Sequence, residues 1–214
     1  YCQGLTMTND KFAALFGGPA RDTESGITQR EMDLAASIQK VTEEVVLRMA
    51  TYAREITGSP NICLAGGVAL NCVANGKLLR SGIFEEVFVT PASGDAGGAL
   101  GAALFVHHQL LNQPRKGTGK DTIKGSLLGP KHSNEEIRAF LDSKKVTYTY
   151  HEQESALLED VAGEMASEKV IGWFSGRMEF GPRALGSRSI IGDPRSVAMQ
   201  SQMNLRIKFR ESFR

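Results

Sequence analysis

The sequence is poor in cysteine, nearly balanced in charge and without a long apolar run, and each shortfall removes a class of protein. Its 214 residues hold three cysteines, Cys2, Cys63 and Cys72, with no C-x-x-C pair among them. Neither a disulfide framework nor a thiolate metal clip is expected from so few, and the small or apolar neighbours of Cys63 and Cys72 mark them as reduced core thiols. A cytoplasmic setting follows as the expectation. No apolar stretch approaches the roughly 20 residues that cross a bilayer, and no charged-then-apolar leader is visible, so no membrane partner is expected. A net charge of +1 leaves no chain-wide basic surface for nucleic acid. Tandem repeats and low-complexity runs are absent. Hydrophobic content of 41% and charged content of 23% are those of a globular protein with a sizeable core.

The balanced total hides an uneven distribution. Residues 177–214 hold eight basic and three acidic residues, a net +5, whereas the preceding chain is −4. Much of the positive charge lies in one motif, residues 176–189 (G-R-M-E-F-G-P-R-A-L-G-S-R-S), followed by G-D-P-R at 192–195. The motif follows an apolar run, V-I-G-W-F at 170–174, that reads as a short buried strand. Guanidinium groups stay charged and offer a planar fork of donors to phosphate or carboxylate oxygens, so arginines held by glycine and proline at a strand end suit an anionic ligand. A solvated basic loop is the plainer alternative.

Taken in order, residues 9–16 read as a short helix capped by Asn9 or Asp10 and ended by Gly17-Gly18-Pro19. Residues 28–57 read as a long amphipathic helix whose apolar stripe is Leu34, Ile38, Val41, Val45, Met49, Tyr52 and Ile56. A strand at 61–65, the turn Gly66-Gly67 and a helix at 68–79 with Asn71 and Asn75 on its first turns come next. Such a unit presents N–H groups and a positive dipole end to a phosphate or ribose, or else its glycines only let strand and helix approach closely. It is not the dinucleotide fingerprint G-x-G-x-x-G. After a strand at 84–89, Asp95 precedes a helix of small residues, where it could cap the helix, orient a substrate or hold a metal. His107 and His108, adjacent on that helix, are expected to be exposed and to point apart. Residues 112–130 lack periodicity and read as a linker between two domains, 1–111 and 131–214. The second has a helix at 133–141 with Ser133 and Glu136 in capping-box spacing, a strand at 146–150, a helix at 155–167 and the strand feeding the arginine motif. A helix at 196–205 then leads to an extended tail, in which alternation would set Arg206, Lys208 and Arg210 against Leu205, Ile207 and Phe209. Tyr1 in place of a start methionine, and an end at Glu211-Ser212-Phe213-Arg214 that does not fade into a polar tail, suggest a piece of a longer protein.

Three motifs in this order, L-A-G-G-V-A-L-N-C (64–72), S-G-D-A-G-G-A-L-G-A-A (93–103) and E-F-G-P-R-A-L-G-S-R-S-I (179–190) with I-K-F-R-E-S-F-R (207–214), resemble the O-carbamoyltransferases of the nodulation and antibiotic type. The resemblance covers essentially the whole chain. It implies an α/β fold: the C-terminal part of an actin-like (ASKHA) ATPase domain, then the beginning of a smaller α/β domain similar to threonylcarbamoyl-adenylate synthase. It also implies a reaction in which carbamoyl phosphate and ATP give a carbamoyl-adenylate, whose carbamoyl group passes to a hydroxyl of a sugar-containing acceptor. On that resemblance Arg183, Lys208, Arg210 and Arg214 would bind carbamoyl phosphate or the adenylate, with Arg183, Lys208 and Arg214 catalytic by charge stabilisation. Arg177 and Arg188 could join them or simply pin the loop. Gly66, Gly67 and Asn71 would contact the nucleotide, and Asp95 would join two histidines on a divalent metal, iron or magnesium. No H-x-x-x-H is present, so those histidines are expected upstream and the isolated piece is expected to be inactive. Small-molecule substrates are the expected partners, without nucleic acid or membrane, and a homodimer is left open. The alternatives are a tRNA threonylcarbamoyl-transferase-like protein, an actin-like kinase, or a non-enzymatic scaffold whose arginines hold an acidic partner.

Overall fold

A computed structural model describes residues 8–117, 119 and 122–214; Cys2 lies outside them. The chain is a mixed α/β structure that divides into two compact units, Tyr1–Gln39 with Pro194–Arg214, and Lys40–Asp193.

The larger unit is built on two pairs of strands. β1 (Asn61–Leu64) and β2 (Glu86–Val89) lie parallel, with Asn61 opposite Glu86 and Leu64 opposite Val89, and the crossover between them is the helix α3 (Cys72–Ser81). The long helix α2 (Gln29–Thr57), which begins in the smaller unit, supplies the other side of the core: Ala50, Leu78 and Phe84 are buried, flanked by Val46, Leu47, Ala53, Ile62 and Val87. The α2 stripe expected to pack is therefore the wrong one. Ile38, Val41, Val45, Met49, Tyr52 and Ile56 are exposed. The helix carries two stripes at helical spacing, and the one that packs is small and mixed: Ala50 and Ala53 let the strands come close, and buried Glu43 forms an ion pair with Lys77 of α3. Val41, Val45 and Met49 instead wall an open groove of about 610 Å³ with Ile62, Leu64 and Val68. Cys63 and Cys72 are free and exposed rather than core thiols, because β1 turns Cys63 away from the core that holds Ile62 and Leu64.

β3 (Ile171–Phe174) and β4 (Arg188–Ile191) pair antiparallel, Phe174 opposite Arg188, so the arginine motif is the long connection of a hairpin. The expected strand at 170–174 is present but only half covered, its Phe174 exposed; β4 had no forecast. Residues 146–150 form no strand and have no strand partner; Tyr148 donates to Asp142 (3.1 Å) and Arg138 lies over the Tyr150 ring (4.7 Å). The helices α5 (Asn134–Ser143), with its complete Ser133–Glu136 capping box, and α6 (Glu154–Ala166) form as expected. The helix α4 (Asp95–Phe105) runs into a π-helical turn, Val106–Leu110, which brings the rings of His107 and His108 to 4.8 Å edge-to-face, so they do not point apart. Among the described residues no helix is long and apolar enough to cross a membrane.

In the smaller unit, Asn9 caps α1 (Asp10–Leu15) by accepting the Phe12 N–H at 3.0 Å. α7 (Met199–Gln202) continues as a π-helical turn, Met203–Ile207. The expected extended tail is thus coiled, and no alternating face forms: Phe209, with φ +49°, is 86% exposed instead of docking on a core. The cause is Asn204. Buried after the first turn, it donates to the Ser212 and Arg214 carbonyls and accepts from Arg210 Nε (2.7 Å), folding the tail back.

Candidate functional site

The arginine motif forms a loop held on nearly every side except its apex. At its neck Ser175 N–H donates to Ser187 O (2.9 Å). Arg188 donates to the carbonyls of Ser187 (2.8 Å), Ser175 (3.1 Å) and Gly176 (3.3 Å), and its guanidinium lies 3.5 Å from the centre of the Phe174 ring. Arg177 reaches the Gly129 carbonyl at 2.7 Å. Both arginines pin the loop to main-chain carbonyls.

A second set of contacts braces the loop from residues 126–130. Phe180 N–H donates to Ser126 O (2.7 Å), Met178 N–H to Pro130 O (3.0 Å), and Gly129 N–H to Met178 O (2.9 Å). A third rests the loop on the end of β2. Gly181 has φ +128°, and a Cβ there would lie 3.1 Å from Pro91 O and 3.3 Å from Ala92 Cα. Ala92, 2% exposed, is pressed from the other side by α4, where a Cβ on Gly97 would meet Ala92 O at 2.1 Å. Ser93, next along, accepts the Gly66 N–H at 2.8 Å. The arginine loop, the start of α4 and the Gly66-Gly67 turn therefore meet through residues 91–93.

Inside the loop sits one carboxylate. Glu179 is 7% exposed, and its Oε1 accepts the N–H groups of Leu185 (2.8 Å), Ser187 (2.7 Å) and Arg188 (3.1 Å). Burial alone pushes this carboxyl up; the backbone N–H groups around it outweigh burial and bring it down to about 2. Residues 182–184 remain as the apex. Arg183, at its centre, is exposed and has no hydrogen bond or ion pair among the described residues.

The other expected site residues fall differently. Lys208 follows the π-helical turn of the smaller unit and is exposed. Arg210 is exposed but engaged with Asn204, and the main chain of Arg214 is tied down, its carbonyl accepting from Gln200 (3.0 Å) and Asn204. This tail is also clasped by residues that belong to no sequence motif: Arg21 forms an ion pair with Glu211 and lies 5.5 Å from the Phe213 ring centre, and Glu24 accepts the Ser212 N–H (2.9 Å) and hydroxyl (2.7 Å). In the larger unit Gly66 precedes a 3-10 turn, Gly67–Leu70, and Asn71 is the N-cap of α3, accepting the Ala74 N–H at 3.1 Å, rather than a residue within its first turns. A Cβ on Gly66 or Gly67 would meet nothing within 4 Å, so close strand–helix packing does not explain these glycines. Asp95 is the first residue of α4 and exposed; Gly94 holds the cap position, without a side-chain bond. Among the described residues no three His, Cys, Asp or Glu side chains gather to hold a metal, and Asp95 is in no such group.

Sequence reasoning missed Glu179, although a signal existed: it is the one acid in a run of glycines and arginines. It also missed the brace at 126–130, for which composition offers no signal.

Comparison with known proteins fits this geometry. Residues 1–104 match the family model described as Carbamoyltransferase N-terminus, and residues 162–214 match Carbamoyltransferase C-terminus. The chain is 60% identical to an uncharacterized protein of Synechocystis over all of its own length and 35% of the relative's. It is 42% identical to the nodulation protein NolO of Bradyrhizobium diazoefficiens, over 87% of this chain and 33% of that one. With the 3'-hydroxymethylcephem-O-carbamoyltransferase of Streptomyces clavuligerus it shares 30% identity, over 89% of this chain and 33% of the enzyme. The chain thus spans about a third of the length of these relatives. With models of both ends of one family matched in order, and the arginine loop lying in the second of them, the chain belongs to the carbamoyltransferase family.

Proposed function

We propose that the full-length protein carrying this chain is an O-carbamoyltransferase: water hydrolyses carbamoyl phosphate to carbamate and inorganic phosphate, the carbamate oxygen attacks the α-phosphorus of ATP to form carbamoyl-adenylate with release of pyrophosphate, and a hydroxyl of a sugar-containing acceptor takes the carbamoyl group, losing its proton and releasing AMP. The observation that carries this reading is Arg183, which among the described residues has no hydrogen bond or ion pair, between Arg177 and Arg188, both spent on carbonyls. A guanidinium on a fixed backbone, with no internal partner to give up, binds a phosphate or carboxylate without reorganisation and can stabilise charge that develops during transfer. In the smaller unit, exposed Lys208 and Arg214, and Arg210 beside Asn204, are further cations suited to a phosphate or carboxylate.

In this reading residues 1–111 supply the end of an actin-like domain, with the nucleotide approaching the open space over Gly66 and Gly67, and residues 131–214, which carry the arginine loop, begin a synthase-like domain. Asn71 would act there through the α3 terminus that it caps. No step is assigned to a metal, and the chain by itself is inactive. The protein works in the cytoplasm on small molecules.

The test is calorimetric titration of the full-length protein with carbamoyl phosphate and with ATP, repeated on Arg183→Ala. Binding of carbamoyl phosphate that weakens at least tenfold in the variant is expected. No binding of carbamoyl phosphate by the wild-type protein would sink the reading and bring forward phosphoryl transfer or a scaffold role.

A further inference from the structure

We propose that Glu179 is the positioning residue of the arginine loop: its buried carboxylate gathers three backbone N–H groups of the returning limb and so fixes where Arg183 stands. The inference deepens the anion-site reading and rests on it.

The argument is one of accounting for the loop's backbone. The outgoing limb, residues 176–181, is fixed from outside by Arg177 on Gly129, by Met178 and Phe180 on Pro130 and Ser126, and by Gly181 against Pro91 and Ala92. The returning limb, residues 185–188, has a different source of order. Leu185 N–H, Ser187 N–H and Arg188 N–H all end on the same oxygen, Glu179 Oε1, and the further fixings there are Gly186 N–H on Ser189 Oγ (3.2 Å), the neck bond to Ser187 O and the Arg188 pins. Without an acceptor at that point three converging, part-buried amides would lose their common partner, and the limb would open. A carboxylate is the side chain best suited to hold three donors on one atom at 2.7–3.1 Å, since its charge strengthens each bond. The apex, 182–184, is therefore suspended between a limb fixed by the protein and a limb fixed by Glu179.

The contrast with Arg177 and Arg188 sharpens the role. Those side chains tie the base of the loop to its surroundings; Glu179 ties one limb to the other, next to the residue that would meet the ligand. Its loss should move Arg183 without emptying the hydrophobic core, since Glu179 lies outside the cluster of Ala50, Leu78 and Phe84.

The experiment compares full-length wild type, Glu179→Gln and Glu179→Asp by three readings: amide hydrogen exchange, melting temperature, and steady-state carbamoyl transfer with varied carbamoyl phosphate. For Glu179→Gln, exchange at Leu185, Ser187 and Arg188 should quicken at least tenfold while α5 and α6 keep their protection, and KM for carbamoyl phosphate should rise at least tenfold with kcat changed less. Glu179→Asp, which keeps the charge, should recover part of both. Unchanged exchange at those amides overturns the proposal, as does a lowered melting temperature with an unchanged KM, which would make Glu179 a purely structural acid. Should Glu179→Gln fail to fold, Glu179→Asp decides alone by the same two readings. Wild-type protein without carbamoyl transfer would count against the function, whereas the exchange comparison would still pass or fail the role of Glu179.

Discussion

At the scale of single residues, three arginines of one motif have different fates, and the difference is measurable. Arg188 is bonded to three carbonyls and stacked on Phe174, so Arg188→Ala should cost about 1–3 kcal/mol of unfolding free energy by urea titration. Arg183→Ala removes a side chain that has no hydrogen bond or ion pair among the described residues and should stay within about 0.5 kcal/mol of the wild type. Equal losses for the two would mean that Arg183 also pins the loop. The sequence could name all these arginines as candidates and could not sort them, because what sorts them is the carbonyls of Gly129, Ser175 and Gly176, and a carbonyl has no letter in the sequence. The stack on Phe174 is equally hidden until the register sets Phe174 opposite Arg188.

At the scale of elements, glycine has two opposite meanings in α4. Gly97→Ala would drive a Cβ to 2.1 Å from the Ala92 carbonyl, a backbone atom that cannot swing aside, and should destabilise by about 1–3 kcal/mol. Gly101→Ala in the same helix meets nothing within 4 Å and should stabilise by roughly 0.5–1 kcal/mol, since alanine restricts the unfolded chain and favours the helix. Urea midpoints that move the same way in both would contradict the packing described for residues 91–93. In α5, Ser133→Ala should cost about 1 kcal/mol through the lost cap, in the same assay. Elements with their own end signals were legible: Asn9 and Ser133–Glu136 announce the helices that they cap. Elements that depend on a distant partner were not. Residues 146–150 have strand composition but no strand beside them, and the tail at 205–210 coils as Asn204, one buried amide, draws the Ser212 and Arg214 carbonyls back to itself. Pattern reports what a segment can do; the partner decides which of those it does.

At the scale of the whole molecule, the mixed α/β order of elements was readable, but which face of α2 turns inward was not. Ile38, Val41, Val45, Met49, Tyr52 and Ile56 stay out, while Ala50, Ala53 and an ion-paired Glu43 go in beside half-covered Val46 and Leu47, a choice that hydrophobicity alone does not make. Electrostatics gives this scale its own test. Glu179 in the larger unit and Glu31 in the smaller are both brought down to about 2 from an ordinary 4.5, Glu31 by the hydroxyl and N–H of Thr28 and by Arg30, and Glu211 and Glu135 are lowered too. A carboxyl lowered in the folded state binds its proton less readily than in the unfolded chain. Its contribution is therefore fully present above the ordinary value and drains away as pH falls from there towards 2. The urea midpoint should be flat from neutral pH to about 5 and then fall steadily. In Glu179→Gln the fall should be shallower, because one of the protons taken up on unfolding has lost its site. Were the two proteins to lose stability along the same slope, the three amides would not be holding an ionised carboxylate, and the loop's order would have to come from its arginine pins alone.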